Sequence, residues 1–229
     1  MSLSRNIIKF NTHTSARDKF YRTFQYGARL IAWYLDTGKD DPLITRLRRV
    51  EAALSLSRKL FRLGNTVDLA YKTIDCFSID DYRLMILSVT GTLFKSVWLF
   101  LDHCLWFSKI GVLQIDQPMW SKWALRVWLV ALVASTAADI KKLKIIKAKL
   151  EKEIRLKRRV EGEKISPEIQ TELHNVQTNF YKDFCDMFIP LSGLNVFNPG
   201  VGALCGVISS LVGFQQEWEK HITPYTPTL

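Results

Sequence analysis

The chain is poor in the features that mark most functional classes. Its four cysteines, Cys76, Cys104, Cys185 and Cys205, lie far apart in the sequence, which argues against a disulfide framework and for a reducing, cytosol-facing setting. The first thirty residues carry Arg5, Lys9, Arg17, Asp18, Lys19, Arg22 and Arg29 without an apolar core region, so no secretory signal is read there. His13, His103, His174 and His221 are scattered, no metal-ligand spacing involves the cysteines, and no phosphate-loop pattern occurs; neither a metal nor a cofactor is expected. Asp102, His103 and Cys104 are adjacent, but neighbours on a helix point about 100° apart, too divergent for a nucleophile and its base. The run GVGALCG at 200–206 follows no strand and is not a dinucleotide loop. Strand-length alternation and internal repeats are both missing. The expectation is an all-α chain with no catalytic residues.

What is present is apolar and basic, and the two are kept apart. The 229 residues are 48% apolar, include 7 Trp and 13 Phe, carry a formal charge of +10, and have a mean hydropathy of +0.01. Residues 1–63 hold 13 Lys+Arg against 5 Asp+Glu, residues 64–138 hold 6 against 6, residues 139–164 hold 11 against 5, and residues 165–229 hold 2 against 6. Two basic blocks thus flank a neutral apolar middle, and an acidic apolar end follows. Nucleic-acid-binding domains more often place their charge on a polar fold without long apolar stretches, so no nucleic acid partner is expected.

The helical periods are strong. TSARDKFYRTFQYGARLIAWYL begins with Ser15 three residues before Asp18, a capping pattern, and puts Phe20, Phe24, Gly27, Ile31 and Tyr34 on one side. Gly38 and Pro42 break this helix, and a second runs to Leu63 before Gly64-Asn65 offers a stop. On a wheel of residues 43–63, Leu43, Leu47, Val50, Ala53, Leu54, Leu60 and Phe61 share one arc, and Arg48, Arg58, Lys59 and Arg62 share its neighbour. Two readings fit: a helix packed on a protein core with a solvated basic face, or an interfacial helix whose cations meet anionic lipid while its apolar stripe inserts. Val67, Ala70, Tyr71, Ile74 and Phe77 extend the amphipathic pattern past the glycine, and Ser78 precedes Asp81 as another cap.

Three apolar stretches follow. Residues 84–107 are interrupted only by Lys95, Asp102 and His103 and are long enough to span a bilayer if those groups face other helices. Residues 119–138 keep Lys122 and Arg126 among Trp120, Trp123 and Trp128, as an interface belt would. Residues 196–214 hold no charge and give the strongest spanning signal, with Asn198 as a cap and Pro199 at the first helical position. Gly202 and Gly206 form a small-xxx-small face suited to helix–helix packing. The basic run after 138 continues its helix into water or toward anionic headgroups. Ile169, Leu173, Val176, Phe180, Phe184, Met187 and Leu191 form a seam that calls for a partner helix. The division expected is an amphipathic, cytosol-facing region at 1–77, a membrane region at 78–138, a basic extension at 139–166, an amphipathic helix at 167–195 and a hydrophobic helix with a short tail at 196–229.

ARDKFYRTFQYGARL, LSLSRKLFRLGN, LFLDHCLWFSKIGVL and NPGVGALCGVISSLVGF, in that order and at these distances, resemble the family named for the eleventh peroxin, integral proteins of the peroxisomal membrane. The resemblance covers nearly the whole chain; residues 139–166 match only in being basic. It implies tubulation and elongation of the peroxisomal membrane through an amphipathic segment, self-association into a homo-oligomer, and recruitment of the dynamin-type fission machinery and its membrane adaptor. In that setting Arg48, Arg58, Lys59 and Arg62 are the expected contacts to an anionic bilayer. Leu43, Leu47, Val50, Leu54, Leu60 and Phe61 are the expected inserting residues. A metabolite pore is the alternative implied by the family; within the apolar stretches only Lys95, Asp102, His103, Lys122 and Arg126 are available to line one. Three spans would put the termini on opposite sides of the membrane, whereas two would place both in the cytosol, as the family has them.

Overall fold

A computed structural model describes residues 3–157 and 166–226. Residues 158–165, within the last third of the basic extension, and the last three residues of the tail lie outside the described residues. Among the described residues there are eight α-helices: α1 (Leu3–Asn11), α2 (Thr14–Leu35), α3 (Pro42–Phe61), α4 (Asn65–Asp75), α5 (Tyr82–Lys109), α6 (Gln117–Lys157), α7 (Pro167–Gly193) and α8 (Pro199–His221). No strand occurs among the described residues.

Local chemistry sets most boundaries. Asp41 accepts from the Leu43 amide with Pro42 opening α3, Asp81 accepts from the Leu84 amide, and Asn198 accepts from the Gly200 amide with Pro199 opening α8, each satisfying an orphan donor of a first turn. Gly64, at φ +91°, takes the left-handed turn between α3 and α4 that other residues adopt at a cost. Two expected caps fall elsewhere. His13 precedes α2 with no side-chain cap, because Ser15 Oγ donates to Glu217 and Asp18 is drawn inward to Arg58. Before α5 the cap is Asp81 rather than Ser78.

Helices α5 and α6 are joined by a short loop and pack antiparallel. Trp98 stacks on Trp128 with centroids 4.9 Å apart, and a Cβ on Gly91 would lie 2.8 Å from Ser135 Oγ. Both are long and apolar enough to cross a membrane, over Tyr82–Lys109 and Gln117–Leu156. The third stretch, 196–214, does not form such a helix: its first three residues lie outside α8, and polar residues follow Phe214. That leaves sixteen helical residues of the stretch, about 24 Å at 1.5 Å per residue, short of a bilayer core of about 30 Å.

The helices are neighbours in the order α3, α2, α8, α7, α6, α5, and α5 returns to α3. They therefore close a ring of six, with α4 laid on α5 and α1 on α2 and α8. What faces the inside of this ring inverts the usual rule. On α2 the buried residues are Ala16, Asp18, Arg22, Gln25, Tyr26, Ala28 and Ala32, while Phe20, Phe24, Ile31 and Tyr34, from the apolar side of the amphipathic pattern, are exposed. On α7 the buried set includes Thr178, Asp183 and Asp186, and Phe184 of the predicted seam is exposed. Charged residues are almost never fully buried unless paired. An apolar exterior around paired charges is the arrangement favoured where the surroundings are lipid rather than water.

Candidate functional site

The basic and apolar arcs of α3 go to different places. Arg58 is only 6% exposed: its Nε donates to Asp18 at 2.9 Å and its Nη1 to Gln25 at 2.7 Å. Lys59 Nζ meets one oxygen of Asp102 at 2.6 Å, and Arg62 Nη2 meets the other at 2.8 Å. Arg62 also lies over the Trp98 ring, 5.2 Å from its centroid. Of the four cations only Arg48 is at the surface, where it pairs with Asp36. The physical reason is the turn of the helix. Residues 58, 59 and 62 bracket the side of α3 that meets α2 and α5, and two carboxylates wait there, Asp18 for Arg58 and Asp102, from within an expected span, for Lys59 and Arg62.

The apolar arc divides as well. Leu43, Val50 and Leu60 are exposed. Leu47, Leu54 and Phe61 are half-buried, the last stacked on Tyr21 with centroids 5.7 Å apart. Past the Gly64 turn the exposed set continues through Val67, Tyr71, Ile74 and Phe77, each more than half exposed. Consecutive steps of 4, 3 and 3 keep these four on one side of α4 and its terminal 3-10 turn. Glycines 202 and 206 lie on the inner face of α8. A Cβ on Gly202 would come within 2.6 Å of Ser192 on α7, and one on Gly206 would run into the Tyr26 ring on α2.

Inside the ring is a cavity of about 710 Å³, lined from all six ring helices and α4. Ten Lys or Arg side chains line it against six Asp or Glu. Arg22 pairs with Asp186 and donates to Ser209 Oγ at 3.0 Å. Burial pushes the Asp18 carboxyl up, but Arg58, Lys19 and Arg62 outweigh it and hold it below its ordinary value. Asp186 is likewise held low: its burial is outweighed by Arg22. Lys19 falls the other way. Burial pushes its ammonium down to about 7, and Asp18 only partly opposes that shift. Burial also brings Arg58 down to about 10 against the pull of Asp18. Among the described residues no three His, Cys, Asp or Glu side chains converge as metal ligands do.

Lys95 and Asp102 line this cavity, whereas His103, Lys122 and Arg126 do not. Most of the charged lining comes instead from α2, α3 and α7, outside the apolar stretches searched in the sequence. A signal was there. Asp18, Arg22, Gln25 and Arg29 recur at steps of 4, 3 and 4, a polar stripe as regular as the apolar one beside it.

Residues 5–218 match the family model described as peroxisomal biogenesis factor 11. Among curated proteins, the bovine peroxisomal membrane protein 11A is 26% identical, with 90% of this chain and 93% of that protein covered. The bovine peroxisomal membrane protein 11B is 25% identical over the same shares. The Dictyostelium discoideum peroxisomal membrane protein 11 homolog is 25% identical over 94% of each chain. No solved structure matches.

Proposed function

Because the chain belongs to the peroxisomal biogenesis factor 11 family, and so to the integral proteins of the peroxisomal membrane that act in peroxisome biogenesis, we propose that it elongates and tubulates that membrane ahead of fission and thereby sets peroxisome number and size. The observation that carries this reading is the exposed apolar stripe of α3 and α4, directly beside two helices able to anchor the chain in a bilayer. Leu43, Val50, Leu60, Val67, Tyr71, Ile74 and Phe77 inserted into one leaflet expand it relative to the other, which favours curvature. Insertion without chemistry is sufficient, and no catalytic step is assigned.

Anionic lipid strengthens the contact through Arg48 and its exposed neighbours Arg46 and Arg49, at roughly 1 kcal/mol per cation near such a surface. Arg58, Lys59 and Arg62 hold α3 on the bundle in this conformation and join the lipid-facing arc only where α3 detaches. Self-association adds many small wedges into one tubule, and recruitment of the dynamin-type fission machinery through its membrane adaptor completes the division.

Full-length protein reconstituted into anionic liposomes tests the reading by electron microscopy. Wild type draws tubules. The quadruple variant Val67→Ser, Tyr71→Ser, Ile74→Ser, Phe77→Ser stays inserted and helical but leaves vesicles round. Tubules of ordinary length from that variant would refute the mechanism.

The ring of six helices around a polar cavity favours a second reading, a pore for small metabolites, because a path through a bilayer needs polar groups sheltered from lipid. Conductance in planar bilayers that is lost on Lys95→Gln, with organelle shape unchanged, would put this reading first.

A further inference from the structure

The charge balance inside the ring is not closed by the protein itself. Besides the pairs already described, Lys95 makes no ion pair within 4 Å among the described residues, and Lys19 and Lys182 reach carboxylates only at 3.9 Å, the Lys182 Nζ donating instead to the uncharged side-chain oxygens of Asn179 at 3.1 Å and Gln216 at 3.3 Å. Lys19 and Lys182 converge: their Cδ atoms lie 3.3 and 3.9 Å from the point where Gly213 would carry a Cβ. Lys95 and Arg22 both sit close enough to Lys182 to repel its charge. The Arg22 side chain is 8% exposed and lines the cavity, yet its Nε has no hydrogen-bond partner among the described residues. A buried guanidinium N–H left unpaired costs free energy comparable to a lost charged hydrogen bond. An excess of cations gathered on the walls of one cavity attracts a counter-charge.

We propose that this cavity binds a small anion of the phosphate or phosphate-monoester class, held by Arg22, Lys19, Lys182 and Lys95. A guanidinium edge and three ammonium groups match the planar fork and point-charge contacts that phosphate oxygens accept. A dianion answers an excess of several cations, where a single carboxylate leaves most of it standing. The volume also leaves room for more than inorganic phosphate, since drug-sized ligands occupy pockets of about 300–1,000 Å³. Anion binding would return Lys19 toward its ordinary protonation and lock α2, α5 and α7 onto one ligand. The site depends neither on how α3 and α4 meet the bilayer nor on conduction through the ring.

The test is the thermal midpoint of the full chain, followed by tryptophan fluorescence in phosphatidylcholine nanodiscs, as inorganic pyrophosphate is titrated at constant ionic strength set with chloride. The expected result is a saturable rise in midpoint. Double substitution Lys19→Gln, Lys182→Gln should weaken it about tenfold or more, without lowering the midpoint of the anion-free protein. Substituting Lys144, Lys147 and Lys149 on the exposed run of α6 by Gln should leave it unchanged. Nanodiscs containing phosphatidic acid separate the two sources of the ligand. If a lipid headgroup fills the cavity, the midpoint starts high and pyrophosphate adds nothing; if a soluble anion fills it, the titration is the same in both lipids. No rise beyond that of chloride in either lipid, or a rise equal in the double variant and lost in the α6 variant, would overturn the proposal.

Discussion

Arg48 and Arg58 share one helix and one chemistry, but burial separates what each does. Arg58 is sealed between Asp18 and Gln25; Arg58→Gln leaves the buried Asp18 with only the longer 3.9 Å contact to Lys19, and breaking a buried pair costs about 3–5 kcal/mol. Arg48 pairs with Asp36 in the open, where such pairs contribute at most about 1 kcal/mol. Denaturation in detergent should therefore show a large loss for Arg58→Gln and almost none for Arg48→Gln, whereas salt-sensitive liposome binding should fall for Arg48→Gln. Equal behaviour of the two would mean that α3 does not pack as described. Lys19 supplies a pH signature. Its pKa is about 7 in the fold against 10.5 in an unfolded chain, so between those values the unfolded state binds more protons and stability rises with pH. Below about pH 7 the lysine is charged in both states and its contribution is flat. The expected outcome is a denaturation midpoint that climbs from pH 7 to pH 10 in wild type and climbs less in Lys19→Gln; identical slopes would show that the Lys19 ammonium is well solvated.

Among the elements, α8 shows how far a sequence pattern reaches. The caps at Asn198 and Pro199 and the small inner face at Gly202 and Gly206 are legible, because they depend on residues within one or two turns. That α8 is surrounded by α7 and α2 within one chain is not legible, since it depends on Ser192 and Tyr26 arriving from other helices. The same limit explains α2 and α7. An amphipathic period fixes which residues share a face, but not whether that face looks inward or out; the pairs Arg22–Asp186 and Arg58–Asp18 decide it, and each joins residues far apart in the sequence. In α3 the wheel puts four cations on one arc, yet Arg48 stays at the surface while Arg58, Lys59 and Arg62 turn inward, because the carboxylates that claim those three sit on α2 and α5. Glycine positions on α8 give a graded check. Gly206→Ala drives a methyl into the Tyr26 ring, and overpacking of this kind costs about 1–3 kcal/mol. Gly213→Ala meets the flexible Lys19 stem at 3.3 Å, which can move aside, and in mid-helix alanine is the better helix former. The first variant should lose stability in detergent and the second should hold or gain; the reverse order would contradict the packing of α2 on α8.

For the molecule as a whole, the ring resolves how a chain of charge +10 keeps charged residues such as Asp102 on a helix able to cross a membrane. The charges are turned to one another around a cavity, and the apolar side chains are left outside. Two helices that can span, α5 and α6, put both ends of their hairpin on one side of the bilayer. The surface carrying Val67, Tyr71, Ile74 and Phe77 then remains attached to that bilayer, which is where a wedge must be to bend it. The most direct measurement of this claim is the depth of α4 in lipid. A single environment-sensitive fluorophore is placed on a cysteine-free background at Ile74→Cys or, about 160° around the same helix, at Lys72→Cys, and the full chain is reconstituted in vesicles containing brominated acyl chains. The account predicts strong quenching at position 74 by bromines high on the acyl chain and little quenching at position 72. Weak and equal quenching at both positions would show that α4 stands clear of the membrane and would contradict the account.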